Sequence, residues 1–223
     1  MDKKAYGLLL DLSSPVGTFS IFKGLQQPIC VLEKELPGSN SHSESFLTEL
    51  EKTLVGLGLR IDDLSPLVVS RGPGSFTGLR IAFATLKAFA WSGKKSLITL
   101  DGPEARAMAF QKKHQPQETS LAVLTYLTAD KYVASQFKLS GGRVEKISED
   151  ILSQELPVPA TTWVLTEERI PSLFVKGHLK KAVVFPLRSS HLIHFLEAST
   201  RKEISQEELF ALSPRYFGST HFD

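Results

Sequence analysis

An order of elements that occurs twice constrains the fold more than any single motif. Three runs rich in β-forming residues open the chain, at 6–12, 16–22 and 29–33, and Ser-Pro, Gly and Pro punctuation between them predicts an antiparallel meander. Alternating elements follow: a helix to about Leu57, a strand at 67–70, a helix at 76–92, a strand at 97–100 and a helix at 103–113. Then the order restarts. Strand-like runs at 121–127, 132–139 and 144–147 precede mixed segments, including 162–165 and 182–185, and helices at 191–198 and after Ser205. Architecture repeated without sequence repetition predicts an α/β chain of two tandem lobes, 1–115 and a smaller, divergent 116–223. Its 223 residues suffice for one large domain or two small ones.

Composition excludes several classes. With 42% apolar and 22% charged residues the chain is an ordinary globular sequence. The 26 Lys and Arg against 24 Asp and Glu leave +2, too little to hold nucleic acid or an anionic membrane unaided. Cys30 is the sole cysteine, so neither an intrachain disulfide nor a cysteine zinc site can form. Few apolar residues lie between Lys4 and Asp11, short of a signal-peptide core or a membrane span, so a cytoplasmic protein without membrane contact is expected.

The first helix opens on a capping box, Ser41-His42-Ser43-Glu44, and carries Phe46, Leu47, Leu50, Leu54 and Leu57 on one arc before the Gly58-Leu59 stop. A second capping box, Ser205 to Glu208, opens the last helix, which Pro214 ends.

The densest stretch is Arg71-Gly72-Pro73-Gly74-Ser75-Phe76-Thr77-Gly78-Leu79-Arg80. Its glycines and proline suit a tight strand-to-helix turn, with Ser75 as helix cap. Gly72, Gly74, Ser75, Thr77 and Gly78 could also present free amides to an anion or nucleotide. It is not a Walker loop, since no Gly-Lys-Ser/Thr follows at the required spacing and the phosphate-reaching lysine is missing; a plain turn and an anion site remain the two readings. The helix behind the turn is apolar nearly all round. Phe76, Leu79, Phe83, Leu86 and Ala90 form one arc, Ile81, Ala84, Ala88 and Trp91 a second, and Arg80 and Lys87 a narrow polar strip. Such a helix is covered on two sides, by the sheet and by either a neighbouring helix or a partner.

These residues carry a resemblance. His42-Ser43-Glu44, Gly58-Leu59 with Asp63-Leu64, and Gly72 through Ile81 closely resemble the TsaB (YeaZ) family, as does the closing Pro214-Arg215-Tyr216. The N-terminal loop departs, with Asp11-Leu12-Ser13 where the family has Asp-Thr-Ser. The resemblance implies an actin-like (ASKHA) fold of two lobes and a non-catalytic role in forming N6-threonylcarbamoyladenosine (t6A) in tRNA. The implied partners are the transferase TsaD, docked through the first two helices, and the ATPase TsaE; TsaC supplies the threonylcarbamoyl-adenylate. It also implies a homodimer when isolated, indirect contact with tRNA through the complex, and no cofactor of its own, ATP or ADP entering only at the complex interface.

The expected docking residues are Phe46, Leu50, Leu54, Phe76, Leu79, Arg80, Phe83, Leu86, Lys87 and Ala90, and charging Phe83 and Ala90 is expected to abolish association. TsaD chains carry metal-binding histidines at i and i+4 after the glycine motif; the resemblance places Gly102 and Arg106 at those positions, which removes the metal. His191 and His194 have no evident third ligand, and no nucleophile with a base stands out. Arg169, Lys176, Lys180, Lys181 and Arg188 form an acid-free stretch, either a solvated face or a minor phosphate contact to tRNA. The alternative function is an ATP-dependent phosphotransferase or hydrolase of the same fold.

Overall fold

A computed structural model describes residues 6–36, 42–128, 131–153, 163–166, 182–185, 188–197, 202–205 and 207–217. The first sheet contains β1 (Tyr6–Asp11), β2 (Gly17–Lys23), β3 (Ile29–Leu36), β4 (Leu64–Ser70) and β5 (Leu97–Leu100). Helices α1 (His42–Leu57), α2 (Phe76–Gly93) and α3 (Gly102–His114) alternate with the later strands. The second sheet contains β6 (Glu118–Thr128), β7 (Lys131–Ser140), β8 (Arg143–Lys146), β9 (Ile151–Ser153), β10 (Trp163–Thr166) and β11 (Ala182–Val184). The chain then forms α4 (Ser189–Leu192), a 3-10 turn (Ile193–Glu197), β12 (Lys202–Ile204) and α5 (Glu208–Ala211).

The two sheets repeat one plan. In the first, the order β5-β4-β1-β2-β3 puts the opening strand in the middle, its antiparallel meander on one side and two parallel strands on the other. In the second, β11-β10-β6-β7-β8 does the same around β6. This is the two-lobed α/β arrangement that the repeated element order predicts. No helix among the described residues is long and apolar enough to cross a membrane.

Both faces of the first sheet are covered, which is why β1 and β4 read as unbroken apolar runs rather than alternating ones. Leu8, Leu10, Phe19, Val69 and Leu97 pack under α1 and α2, where Phe19 meets Phe46 edge-on at 5.6 Å. On the opposite face Leu9, Val68 and Ile98 pack against Ala105 of α3 and Leu192, Ile193, Phe195 and Leu196.

The described residues from 188 to 217, expected in the second lobe, thus return to the first. β12 adds antiparallel to the edge strand β5, and Leu209 of α5 enters the core beneath α2. The second capping box forms as expected, the Ser205 amide donating to Glu208 at 3.1 Å and the Glu208 amide to Ser205 Oγ at 3.3 Å. The side chains of the first box, and Arg169, Lys176, Lys180 and Lys181, lie outside the described residues.

The returning segment is fastened by a carboxylate. Glu33 on β3 accepts from the Ser190 amide at 2.7 Å, Ser190 Oγ at 2.9 Å and Ser189 Oγ at 3.0 Å, while Arg188 pairs with Glu35 at 2.9 Å. The expected helix at 191–198 therefore begins two residues earlier, where Glu33 anchors its first turn, and continues as the 3-10 turn. Hydrogen bonds to a charged acceptor contribute more than neutral ones. Glu33→Ala is expected to lower unfolding free energy by about 2–3 kcal/mol, and Glu35→Ala, an exposed pair, by less than about 0.5 kcal/mol. Urea denaturation checks the contrast.

Candidate functional site

The glycine turn joins β4 to α2 by close backbone contact. The Ser75 amide donates to Ser13 O at 2.7 Å, and Ser75 Oγ caps the helix by accepting from the Gly78 amide at 3.2 Å. A Cβ on Gly78 would stand 1.9 Å from Leu12 O, and one on Gly74, at φ +156°, 2.3 Å from Ser13 O. Gly72 and Gly78 are buried and Thr77 is exposed. The side of the turn over Gly74 and Gly78, part of the stretch read as an anion cradle, is occupied by the chain's own 12–13 backbone. Beside the turn, a cleft of about 450 Å³ is lined by Arg71, Asp101, Glu208, Arg215 and their neighbours, so its charges are mixed.

Two carboxylates at strand ends are shielded from solvent, Asp11 fully and Asp101 in part. Asp11 closes β1 and accepts from the Ser13 amide at 2.9 Å, and burial raises its pKa against the opposing hydrogen bonds from Ser13 and the charge of Arg106. Asp101 caps α3 through the Glu104 amide at 3.0 Å and pairs with Arg215 at 2.9 Å; burial raises it too. A carboxylate with a raised folded-state pKa contributes stability below its unfolded pKa and loses it as pH rises through the folded value. Unfolding free energy is therefore expected to fall as pH rises from about 4 through the folded pKa values of Asp11 and Asp101. Asp11→Asn should flatten that slope, measured by urea denaturation across the range.

Among the described residues no three His, Cys, Asp or Glu groups are placed to hold a metal. The positions that the resemblance matches to metal ligands hold Gly102, packed near Ser70 Oγ, and a buried Arg106. His191 stacks on Phe185 at 4.8 Å, and the side chain of His194 lies outside the described residues.

The expected docking residues divide. Phe46, Leu50, Leu54, Leu79, Phe83, Leu86 and Ala90 are all at most 6% exposed and belong to the chain's own core, so their side chains face the sheet and not a partner. The physical reason is size: of the two apolar arcs of α2, the sheet takes the one with the large side chains. Only Phe76, Arg80 and Lys87 of that set reach the surface, and the C-terminal segment engages all three. Tyr216 stacks on Phe76 at 4.7 Å, Arg80 lies over the rings of Tyr216 at 6.0 Å and Phe76 at 4.1 Å, and Lys87 donates to the carbonyls of Phe210 at 3.2 Å and Leu212 at 3.0 Å.

The second arc lies outside apart from Ile81, which is half-buried against the core. Ala84 and Ala88 are exposed, and Trp91 at 54% stacks on Phe210 at 4.7 Å, itself 69% exposed. Leu47 and Val55, two turns apart on α1, are 49% and 74% exposed. Five of the eleven exposed large hydrophobics among the described residues, Leu47, Val55, Phe76, Trp91 and Phe210, thus sit on one helical layer. Scattered exposed apolar residues are ordinary, whereas these five are confined to the layer of α1, α2 and α5.

Comparison with known proteins fits this architecture. The model of the family described as TsaD, tRNA N6-adenosine threonylcarbamoyltransferase, matches residues 37–153, just over half of the chain. The TsaB of Haemophilus influenzae, a tRNA threonylcarbamoyladenosine biosynthesis protein, is 28% identical over 83 residues, 37% of this chain and 35% of the relative. A tRNA N6-adenosine threonylcarbamoyltransferase of Streptococcus agalactiae is 34% identical over 86 residues, 39% of this chain and 26% of that enzyme. The matched stretch thus spans about a third or less of these curated relatives. The structure of YeaZ from Pseudomonas aeruginosa superposes with a TM-score of 0.73 at 16% identity, covering 96% of this chain and 100% of that one. With its family model matched over more than half its length, the chain belongs to the family described as TsaD, tRNA N6-adenosine threonylcarbamoyltransferase.

Proposed function

We propose that the chain works in tRNA t6A formation as a non-catalytic interaction subunit, docking on TsaD through the outer face of α1 and α2. The observation that carries this reading is the exposed apolar layer, with Ala84 and Ala88 at its centre. Small residues let a facing helix approach to about 8–10 Å between axes. The family model matched here is named for the transferase itself, so the chain and its proposed partner share the helices that would meet. Related helices on both sides favour a pseudo-symmetric bundle. The same face serves a second copy of the chain when TsaD is absent.

On this reading TsaD holds the chemistry, TsaE joins the pair, tRNA is met through the complex, and a nucleotide enters only at the junction. The test is reconstitution with TsaC, TsaD, TsaE, ATP and substrate tRNA, reading t6A by nucleoside mass spectrometry. Sustained modification should require this chain together with TsaD. An equal rate without the chain, or modification by the chain without TsaD, would remove the proposal.

A further inference from the structure

Lobes of a two-lobed fold ordinarily meet across a cleft that a ligand fills, and their relative position then depends on that ligand. Here a side chain occupies the centre of the junction. Arg106 sits in the middle of α3, between Ala105, packed into the core of the first sheet, and Ala107, packed into that of the second. It is 1% exposed and heads the largest fully buried side chains. Its Nη1 donates to Leu124 O of β6 at 3.2 Å and its Nη2 to Phe185 O, just after β11, also at 3.2 Å. Its charge also works to lower the pKa of the buried Asp11 at the end of β1, against the larger opposing effect of burial.

A guanidinium cannot give up its proton to ease burial, so a charge so placed depends on carbonyl dipoles and a carboxylate around it. Its planar fork can serve diverging acceptors at once, which a single ammonium cannot do as well. The acceptors here come from β6 and the residue after β11 in the second lobe and the carboxylate from the first. One further clasp joins the lobes: Arg215 bridges Asp101, the N-cap of α3, and Asp150 before β9.

We infer that Arg106 is a cation built into the lobe junction, binding β6 and the end of β11 to the first lobe so that the interlobe cleft is held shut with no ligand. The chain is then one rigid body. This goes beyond the docking proposal and does not depend on it, because it concerns the isolated chain.

The test uses the full chain with Arg106→Ala and Arg106→Lys, read by amide hydrogen exchange. Ethylguanidinium, which replaces the atoms that Ala lacks, is the probe. In R106A the amides of 121–125 and 163–166 should exchange about 100-fold faster, while those of β1 and β4 stay within about threefold. Millimolar ethylguanidinium should restore slow exchange in R106A. R106K should fall between and ignore the probe. Unchanged exchange in R106A would overturn the inference. So would equal acceleration in both sheets with no response to ethylguanidinium, which marks an ordinary core residue. If R106A does not fold, refolding that requires ethylguanidinium supports the clasp, and refolding indifferent to it overturns it.

Discussion

Ala88→Arg is expected to leave the fold intact and to weaken binding to TsaD by at least about 100-fold, or about 3 kcal/mol. The position is exposed on the outer arc of α2, so an arginine there meets only solvent in the isolated chain, and stability should change by less than about 0.5 kcal/mol. In the proposed bundle the same residue faces a closely packed helix. There a long charged side chain either loses its hydration or forces the helices apart, and both outcomes cost more than a surface interaction returns. Trp91→Asp should act in the same direction, since Trp91 and Phe210 present an exposed aromatic pair at the C-terminal end of the helix.

Charge at Phe83 or Ala90, the positions that the sequence alone recommends, tests something else. Both side chains are buried in the core under α2, at 3% and 0% exposure, so a charge there unfolds the chain and reports nothing on a partner. Isothermal titration of TsaD with A88R, alongside thermal melting of the variant, separates lost affinity from lost fold.

The second large effect concerns the glycine turn. Gly78→Ala is expected to destabilise by about 3 kcal/mol or more, because its methyl would lie 1.9 Å from Leu12 O, and a backbone carbonyl cannot swing aside as a side chain can. Relief requires moving the N-terminal turn of α2 off β1, which also strains the Ser75 to Ser13 hydrogen bond. Gly56 in α1 is the control. No atom lies within 4 Å of a Cβ there, so Gly56→Ala should be neutral or stabilise by about 0.5–1 kcal/mol through helix propensity. Urea denaturation of both variants checks the pair. A small loss in G78A would mean that the turn is looser than its contacts, and the anion reading of its glycines would regain ground.

Much of the first lobe is legible in the sequence, for physical reasons. Strands covered on both faces must be continuous apolar runs, as 8–10 and 67–69 are, and helices must show their buried arcs, as Phe46, Leu50 and Leu54 do. The two-sided character of α2 was equally readable. Periodicity could not say which arc faces the sheet, since both are apolar, although size was a usable signal: Leu79, Phe83 and Leu86 fill a core better than Ala84 and Ala88.

The return of 188–217 to the first lobe was not legible. β12 is three residues long and α5 four, and segments that short take their structure from what they pack against. Arg106 shows a different limit. In the sequence it registers only as a residue unable to bind metal, and its work at the lobe junction appears only with its burial and its carbonyl partners in the other lobe.

The measurement that bears most directly on the docking account is light scattering behind size exclusion, with the chain alone, with TsaD from the same source, and with A88R. The account requires a homodimer that exchanges into a heteromeric complex with TsaD, and an A88R protein that remains folded but monomeric and does not join it. A wild-type chain that stays monomeric and ignores TsaD would contradict it, and the exposed layer of α1, α2 and α5 would then need another occupant.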